Sequence, residues 1–464
     1  MDSDEIKAAS ANDLVVAVIA ETEQSAFNTL NKLDQLLTNT HTESKNVLLR
    51  TLEDGIRQKP DANLAVISVP GEFAARETKK ALENGLNVFL FSSNVEVKDE
   101  LELKTLAKNR NLLVMGPDCG TSIIGGKGIG FANQVRSGPV GVIGPSGTGL
   151  QEFTCLIHHL GSGISHAIGT GARDLKDDIG GITTLMALDL LEADAFTEVV
   201  AIVSKPAGKK TLDKILSRLD KYKKPVVACF LGLEKTVQSM KKNIVFSSTI
   251  DSAAQNTISF LDITPSPIVS DFKRTLLEQE TKLFSKEQKY IRGLFAGGTF
   301  CYQSQQLLLA SGLDIHSNDP LEKARKLPDP DKSIGHTLVD MGDEYYTLGK
   351  PHPMIDGAMR SLRITQEASD PEVAIILLDF ILGFNASNDP VGEAIESIHA
   401  AIHEAKNHGR HITFIASITG TENDLQDLNL QRQMLMDAGV IVTYSNAEAT
   451  RLCLDILKKR NQGV

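Results

Sequence analysis

The sequence has 464 residues, enough for roughly two or three domains with their own cores. Its formal net charge of −11 at pH 7 gives no general attraction to nucleic acid or anionic membranes, and it has no apolar run of membrane-spanning length and no signal-type leader. The five cysteines show no paired spacing and the eleven histidines form no metal-type cluster. We therefore expect a cytoplasmic protein that binds no metal, no nucleic acid and no membrane.

The first part of the chain, residues 1–137, alternates short apolar runs with helical segments. The runs at 14–19, 64–69, 88–91 and 112–115 predict strands. Because helical segments separate these strands, the alternation predicts an α/β domain with a parallel sheet covered by helices.

The second part, residues 138–262, opens with a strand at 140–143 that runs through a glycine-rich turn into a helix. The N–H groups at a helix start have no internal partners, so Ser146, Gly147 and Thr148 can hold a phosphate or carboxylate there. The alternative is a tight connecting turn without a ligand. Because the turn lacks the GK[ST] ending of a nucleotide-binding P-loop, ordinary ATP binding is not expected.

Later strands of this part end at the edge where open α/β sheets bind ligands. They are predicted at 165–168, 199–203, 225–230 and 244–246. After the first of them, Arg173 is positioned either to bind a carboxylate with two hydrogen bonds or to form an ion pair at a helix start. Lys205 follows the second and is either a ligand-binding cation or an exposed surface lysine.

The third part, residues 291–464, repeats the second after a charged, proline-containing linker at 263–290. Its first strand ends in a turn with Gly297, Gly298 and Thr299. The segments that match the later strands of the second part are 336–343, 373–380, 411–417 and 440–444. Two similar sheets suggest pseudo-twofold symmetry with both glycine turns aimed at one shared site, because pockets favour domain interfaces. The alternative is two domains with separate surfaces.

The loop at 349–356 carries His352 between two prolines, which hold the backbone stiff. This histidine is a candidate acid, base or oxyanion donor, and the alternative is a surface histidine in a rigid turn. No Ser-His-Asp signature accompanies it. The loop therefore adds one candidate catalytic side chain to the shared site.

Several motifs resemble those of one enzyme superfamily. Those similar to the succinyl-CoA synthetase α subunit are Val69-Pro-Gly-Glu-Phe73, Gly116-Pro-Asp-Cys119 and Gly144-Pro-Ser-Gly-Thr148. Those that resemble the carboxyl domain of its β subunit are Phe295-Ala-Gly-Gly-Thr299, Asp340-Met-Gly-Asp343 and Asp379-Phe-Ile-Leu-Gly-Phe384. The whole chain resembles the FdrA family of acyl-CoA-synthetase-like proteins, in which such pieces are fused, through Met115-Gly-Pro-Asp-Cys-Gly120, the loop at 349–356 and Asp389-Pro-Val-Gly392.

The resemblance implies a Rossmann-like CoA-binding-type domain followed by two flavodoxin-like synthetase-type domains with parallel sheets. The CoA-type pocket that it implies contains Pro70, Pro117 and Cys119. The substrate-binding residues that it implies are Arg173, Asp343 and Thr421.

The departures from the synthetases concern their ATP chemistry. Their phosphate-carrying histidine has no counterpart, since no histidine occurs between His166 and His316, and Lys205 stands where a glutamate orients that histidine. The early glycine-rich CoA-binding loop has no match near residues 20–25, and no ATP-grasp domain is present. A complete ATP-driven ligase is therefore not expected in this chain.

The resemblance implies an acyl- or carbamoyl-transferring subunit with Lys205 and His352 as catalytic residues and an acyl phosphate between the two glycine turns. FdrA-type proteins are associated with purine and allantoin breakdown, in which carbamoyl phosphate and oxamate interconvert with oxalurate. The expected substrates are carbamoyl phosphate or coenzyme A, and a homodimer with separately encoded partner subunits is expected. The alternatives are a succinyl-CoA-synthetase-like ligase that needs partner subunits and a non-catalytic regulatory protein that binds CoA or an anion.

Overall fold

The computed structural model describes residues 22–32, 49–233, 242–266 and 274–462, together with Val18 and Ala20. The strand predicted at 14–19 lies almost wholly outside these residues. The chain divides into two compact units at residue 61. In the first unit, α1 (Glu23–Leu30) and α2 (Leu52–Gln58) each begin after a threonine whose hydroxyl accepts a backbone N–H of the first turn.

The second unit, residues 62–464, begins with a three-stranded parallel sheet. Its strands are β1 (Leu64–Ile67), β2 (Asn87–Leu90) and β3 (Val114–Met115), in that order. Its helices are α3 (Gly71–Glu83) and α4 (Val97–Asn109). The strands predicted at 64–69, 88–91 and 112–115 are therefore confirmed, with ends that differ by at most two residues.

A seven-stranded sheet follows, with the strand order β10-β9-β8-β6-β7-β4-β5. Its strands are β4 (Thr121–Ile124), β5 (Lys127–Gly130), β6 (Ser137–Gly144), β7 (Ile164–Gly169), β8 (Val199–Ser204), β9 (Val226–Phe230) and β10 (Ile244–Phe246). The helices among them are α5 (Gly147–His159), α6 (Ile182–Ala193), α7 (Lys209–Leu219) and α8 (Ile250–Ile258). The five strands predicted for the second part are all present.

The sheet also contains a hairpin that sequence analysis missed. Strand β4 pairs antiparallel with β5 and with β7, and the turn between β4 and β5 is Gly125-Gly126, with φ of 55° and 74°. A two-residue turn with positive φ at both positions is typical of tight hairpins. The first seven-stranded sheet thus includes residues that precede residue 138. The domain limits at 137, 262 and 290 stay predictions.

A second seven-stranded sheet, entirely parallel, has the order β13-β12-β14-β11-β15-β16-β17. Its strands are β11 (Tyr290–Phe295), β12 (Ile315–Ser317), β13 (Arg325–Lys326), β14 (His336–Asp340), β15 (Val373–Ile381), β16 (Thr413–Thr419) and β17 (Ile441–Thr443). The helices are α9 (Arg274–Leu283), α10 (Gly298–Ala310), α11 (Glu344–Thr347), α12 (Ala358–Ser369), α13 (Gly392–Asn407), α14 (Leu428–Asp437) and α15 (Asn446–Gln462).

The strand orders confirm the predicted internal repeat. Strands β10-β9-β8-β6-β7 of the first large sheet correspond to β17-β16-β15-β11-β14 of the second. In both sheets the central strands are buried on both faces: every residue of β8 and of β15 is buried. This is the burial expected of parallel strands covered by helices on two sides. None of the helices in the described residues is long and apolar enough to cross a membrane.

The two repeats cap each other's helices. Glu152, on α5, accepts the N–H of Asn446 at the start of α15 at 2.6 Å. Gln303, at the equivalent position of α10, accepts the N–H of Ile250 at the start of α8 at 2.9 Å. Since α8 and α15 are the last helices of their repeats, the side chains cross the interface in opposite directions. Burial raises the pKa of Glu152 to about 8, although its bond to Asn446 opposes this rise.

Candidate functional site

The candidate site lies where the starts of α5 and α10 meet. The hydroxyls of Ser146 and Thr299 form a short hydrogen bond, and a Cβ on Gly149 would lie 3.2 Å from Thr299 Cγ2. Ser146 is also the N-cap of α5 and accepts the Gly149 N–H at 3.3 Å. The two glycine turns therefore lie together, as predicted, and the starts of α5 and α10 are in contact.

Backbone donors at this site are left open on both helices. Within the described residues, the N–H groups of Gly147, Thr148, Gly298 and Thr299 have no hydrogen-bond partner. These are the first-turn groups that a helix cannot bond internally, and the helix dipole is positive there. Two helix starts side by side therefore create a position that favours an anion.

Gly297 does not contribute its N–H to that position, which corrects the prediction. Its N–H donates to Asp379 Oδ2 at 2.8 Å, and the Ala296 N–H donates to Asp379 Oδ1 at 2.7 Å. Asp379 is a buried residue of β15, and its Oδ1 lies 3.4 Å from Arg360 Nη1. This internal carboxylate occupies the donors of the turn, so Gly297 serves the fold and is not free to bind a phosphate.

Gly147 also lies close to the start of β4. A Cβ on Gly147 would lie 3.0 Å from Thr121 Oγ1 and 3.6 Å from Gly120 Cα. A side chain there would therefore press on the start of β4. The glycine is needed for the approach of α5 to this strand.

Lys205 joins the two repeats at the site. It follows β8, and its Nζ lies 3.6 Å from Asp319 Oδ2, which follows β12 in the other sheet. The same Nζ lies 5.4 Å from the centre of the Tyr302 ring on α10. The side chain is 36% exposed, so the cation is held between two sheets and still reaches solvent. Lys205 is therefore not a freely solvated surface lysine, and its role as a ligand-binding cation stays a prediction.

Asp340, at the end of β14, is a site residue that sequence analysis missed. Its Oδ1 accepts the Gly342 N–H at 2.9 Å, and it is 7% exposed. Burial raises its pKa to about 6, while the charge of Lys205 opposes the rise. The signal in the sequence was the motif Asp340-Met-Gly-Asp343, from which only Asp343 was chosen. Asp343 is half-buried and accepts the Tyr345 N–H at 3.0 Å as the N-cap of α11.

His352 borders the same space as Asp340. A Cβ on Gly342 would lie 2.7 Å from His352 Nε2 and 3.2 Å from Asp340 Oδ1. His352 Nδ1 accepts the Met354 N–H at 3.2 Å, so a neutral ring carries its proton on Nε2. Burial lowers the pKa of His352 to about 4, so it is neutral at pH 7 and can donate from Nε2.

Two predicted substrate-binding residues are engaged elsewhere in the protein. Arg173 binds Glu100 Oε2 through Nε at 3.0 Å and the Val95 carbonyl through Nη2 at 2.5 Å, which is the ion-pair alternative. Thr421 is buried, and its hydroxyl donates to the Gln134 carbonyl at 2.7 Å. The Thr421 hydroxyl is therefore used within the protein, whereas Arg173 has bonds to the described residues from only Nε and Nη2 and keeps a side chain that is 36% exposed.

The residues predicted for a CoA-type pocket have different environments. Pro70 is exposed and precedes α3, whereas Pro117 is buried after a cis peptide bond. Cys119 is buried, its Sγ lies 3.7 Å from the Thr121 carbonyl, and burial raises the pKa of its thiol to about 12. Cys119 is therefore a protonated core residue, and the CoA-type pocket stays a prediction.

Comparisons with known proteins agree with this architecture. Residues 294–455 match the family model described as CoA-ligase. The chain is 40% identical over 457 residues to the Escherichia coli K12 protein YahF, covering 98% of this chain and 88% of YahF. It is 30% identical over 187 residues to the succinate–CoA ligase [ADP-forming] subunit alpha 2 of Archaeoglobus fulgidus, covering 39% of this chain and 63% of that subunit. It is also 30% identical over 204 residues to the malate–CoA ligase subunit alpha of Methylorubrum extorquens, covering 42% of this chain and 68% of that subunit.

The solved structures that match this chain are distant in sequence and have low TM-scores. The dinucleotide-forming acetyl-coenzyme A synthetase 1 of Ca. Korarchaeum cryptofilum has a TM-score of 0.37 and 15% identity, over 91% of this chain and 88% of that one. The ATP citrate lyase of Methanosaeta concilii has a TM-score of 0.34 and 19% identity, over 45% and 37%.

Proposed function

Since the chain belongs to the family of the Escherichia coli protein YahF, and carries a CoA-ligase domain, we propose that it transfers an acyl or carbamoyl group from an acyl phosphate. In this proposal the phosphate lies between the starts of α5 and α10, and Lys205 adds a positive charge. His352 supplies a neutral donor from Nε2 to the oxyanion that forms at the carbonyl group.

The observation that carries the proposal is the meeting of Ser146 and Thr299. Their hydrogen bond brings two helix starts into contact, with four backbone N–H groups that have no partner among the described residues. Each charge-assisted hydrogen bond to a phosphate contributes about 1.5–3 kcal/mol after desolvation. Several such bonds together are sufficient to hold a small phosphorylated substrate without a nucleotide-binding loop.

The missing phosphate carrier favours direct transfer over ATP-driven ligation. The sequence has no histidine between His166 and His316, so the stretch that contains α6, α7, α8 and α10 offers no imidazole for phosphorylation. We expect no phosphohistidine after incubation with ATP and no ATP-dependent CoA ligation by the isolated chain. Mass spectrometry of the ATP-treated protein checks this, and a phosphorylated histidine would contradict it.

The finer assignment is an FdrA-type, carbamoyl-transferring subunit of purine or allantoin breakdown, cytoplasmic and homodimeric, that works with separately encoded partners. Incubation with carbamoyl phosphate and oxamate, followed by mass spectrometry for oxalurate, tests the carbamoyl acceptor. A second reaction with coenzyme A in place of oxamate tests whether coenzyme A accepts the transferred group. Light scattering tests the homodimer.

The second candidate is a CoA ligase that needs partner subunits. It is favoured by the 30% identity to chains named as alpha subunits of succinate–CoA and malate–CoA ligases. In that case, CoA should bind to the isolated chain, and product should form only after partner subunits are added. Calorimetric titration with CoA distinguishes this candidate from direct transfer with carbamoyl phosphate.

The anion site itself is tested by replacing Lys205. Lys205→Ala should weaken the Kd for carbamoyl phosphate by roughly tenfold or more, because a charge-assisted contact is lost. Lys209→Ala is the matched control, because Lys209 is exposed at the start of α7 and its replacement by alanine removes the same charge. Calorimetry measures both affinities and circular dichroism checks the fold. Equal affinities for wild type and the folded Lys205→Ala variant would leave the glycine turn as a connector only.

A further inference from the structure

Asp340 presents one open carboxylate oxygen to the candidate site. Its Oδ1 accepts the Gly342 N–H, and within the part of the chain that the structure describes its Oδ2 accepts no hydrogen bond. A Cβ on Gly298 would collide with that Oδ2, and a Cβ on Gly342 would lie 3.2 Å from Oδ1. Asp340 is 7% exposed as a residue, and its carboxyl group lies between two glycines and faces the start of α10.

The surroundings of Asp340 combine one cation with several acidic groups. The charged and titratable groups that face it are Lys205 after β8, Cys301 on α10, Asp319 after β12, Asp343 in its own loop and His352 in the loop before α12. Burial raises the pKa of Asp340 to about 6, with Lys205 opposing and the two carboxylates adding to the rise. A dianion bound beside this carboxyl raises the pKa further, because like charges disfavour ionisation.

We propose that Asp340 carries the proton that moves during acyl transfer, a catalytic role that rests on the proposed acyl-phosphate function. The protonated carboxyl donates to the bridging oxygen of the bound acyl phosphate. The acceptor attacks the carbonyl carbon, the bond from that carbon to the bridging oxygen breaks, and the phosphate leaves with the Asp340 proton as hydrogen phosphate. The Asp340 carboxylate then takes the proton released by the acceptor, so the step balances without another reactant.

Asp340 is suited to this role because its proton is shielded and its neighbour His352 is a donor. The neutral His352 ring holds its hydrogen on Nε2, next to the same space above Gly342. It therefore does not compete with Asp340 for the proton that the acceptor releases. A permanently ionised carboxylate at this place would repel the phosphate that the helix starts attract.

Sulfate binding to the full chain tests the proposal, because sulfate remains a dianion throughout the range used. If the protonated form of Asp340 is the form that binds, the Kd of wild type should rise by roughly tenfold per pH unit above about pH 6. Asp340→Asn should bind with a Kd independent of pH, and more tightly than wild type at pH 8. Glu344→Gln, an exposed carboxylate at the start of α11, should keep the wild-type slope.

Proton uptake provides a second measurement that needs no variant. Titration in buffers of different ionisation enthalpy should show close to one proton taken up per sulfate bound by wild type above about pH 6. Sulfate binding without a pH slope or proton uptake, or a slope that survives in Asp340→Asn, overturns the role of Asp340 and leaves the anion site standing. Failure of sulfate to bind at every pH removes the anion site, and the proposed function fails with it.

Discussion

The glycine turns after β6 and β11 occupy the same place in two similar sheets, but their backbone N–H groups are satisfied differently. After β6, Pro145 has no N–H and Ser146 caps the helix with its own hydroxyl. After β11, the N-cap Gly297 has no side chain, and its N–H and that of Ala296 both bind Asp379. One turn is closed by a local hydroxyl and the other by a distant carboxylate.

The strand register shows that a single position makes this difference. Leu378 of β15 lies opposite Leu294 of β11, and Ile202 of β8 lies opposite Ile143 of β6. Asp379, the residue after Leu378, therefore corresponds to the residue after Ile202, which is the buried Val203. The second turn is fixed to its sheet through hydrogen bonds to the buried Asp379, whereas the side chain of Val203 cannot accept such bonds from the first turn. The two turns therefore have the same backbone position, but only the turn after β11 is hydrogen-bonded to a carboxylate of the neighbouring strand.

Removing the carboxylate from the second turn should have the largest effect. Asp379→Ala leaves two buried N–H groups without a partner and Arg360 without its carboxylate, although Arg360 keeps its bond to the backbone carbonyl of residue 379, so the free energy of unfolding should fall by about 3–5 kcal/mol. Val203→Ala, at the equivalent position, removes only packing and should cost about 2 kcal/mol. Urea unfolding followed by circular dichroism measures both. A loss for Asp379→Ala no greater than that for Val203→Ala would mean that the turn does not depend on the carboxylate.

The next effect concerns the crossed helix caps, where Glu152 corresponds to Gln303. Burial raises the folded-state pKa of Glu152 from 4.5 to about 8, so the folded protein binds more protons than the unfolded one between these values. This contribution to stability is complete below about pH 4.5 and is lost as the pH rises towards about 8. Glu152→Gln makes the two caps alike. As the pH rises, the free energy of unfolding of this variant should fall by roughly 1–3 kcal/mol less than that of wild type.

Urea unfolding of wild type and Glu152→Gln at pH 5 and pH 8 measures this difference. Glu396→Gln on α13 is the control, because Glu396 is exposed and should leave the pH dependence unchanged. A Glu152→Gln variant that loses stability between the two pH values as steeply as wild type would show that Glu152 is ionised within the folded protein.

The smallest effect should come from the local cap of the first turn. Ser146→Ala removes the oxygen that accepts the Gly149 N–H and the bond to Thr299, and should cost about 1 kcal/mol of unfolding free energy. Ser217→Ala, at an exposed position within α7, should change stability by a few tenths of a kcal/mol. Thermal unfolding measures both variants. A cost for Ser146→Ala as large as that for Asp379→Ala would mean that the two turns are equally fixed.

The sequence predicts the fold well because most of its signals are local. The buried runs that became β6, β8, β11 and β15 are apolar and bounded by glycine turns, so periodicity identifies them and their repetition reveals the two matching sheets. The hairpin at 121–130 was missed because its strands are only four residues long and its Gly-Gly turn was not used as a hairpin signal.

The candidate site was harder to predict because its chemistry depends on residues far apart in the chain. Nothing near Gly297 indicates that Asp379, more than eighty residues later, takes its N–H. Asp340 was passed over because its burial between two glycines arises only in the folded structure. Lys205 was found because it directly follows a predicted strand, at the edge where parallel sheets bind ligands.

The crossed caps made by Glu152 and Gln303 have a consequence for how the molecule folds. Each repeat supplies a partner for the last helix of the other, so neither repeat alone can satisfy all of its buried backbone groups. We expect the two large sheets to lose their structure in one cooperative transition, without a populated intermediate in which one sheet is intact. We therefore expect the two repeats to depend on each other for stability, as the subunits of an obligate dimer do.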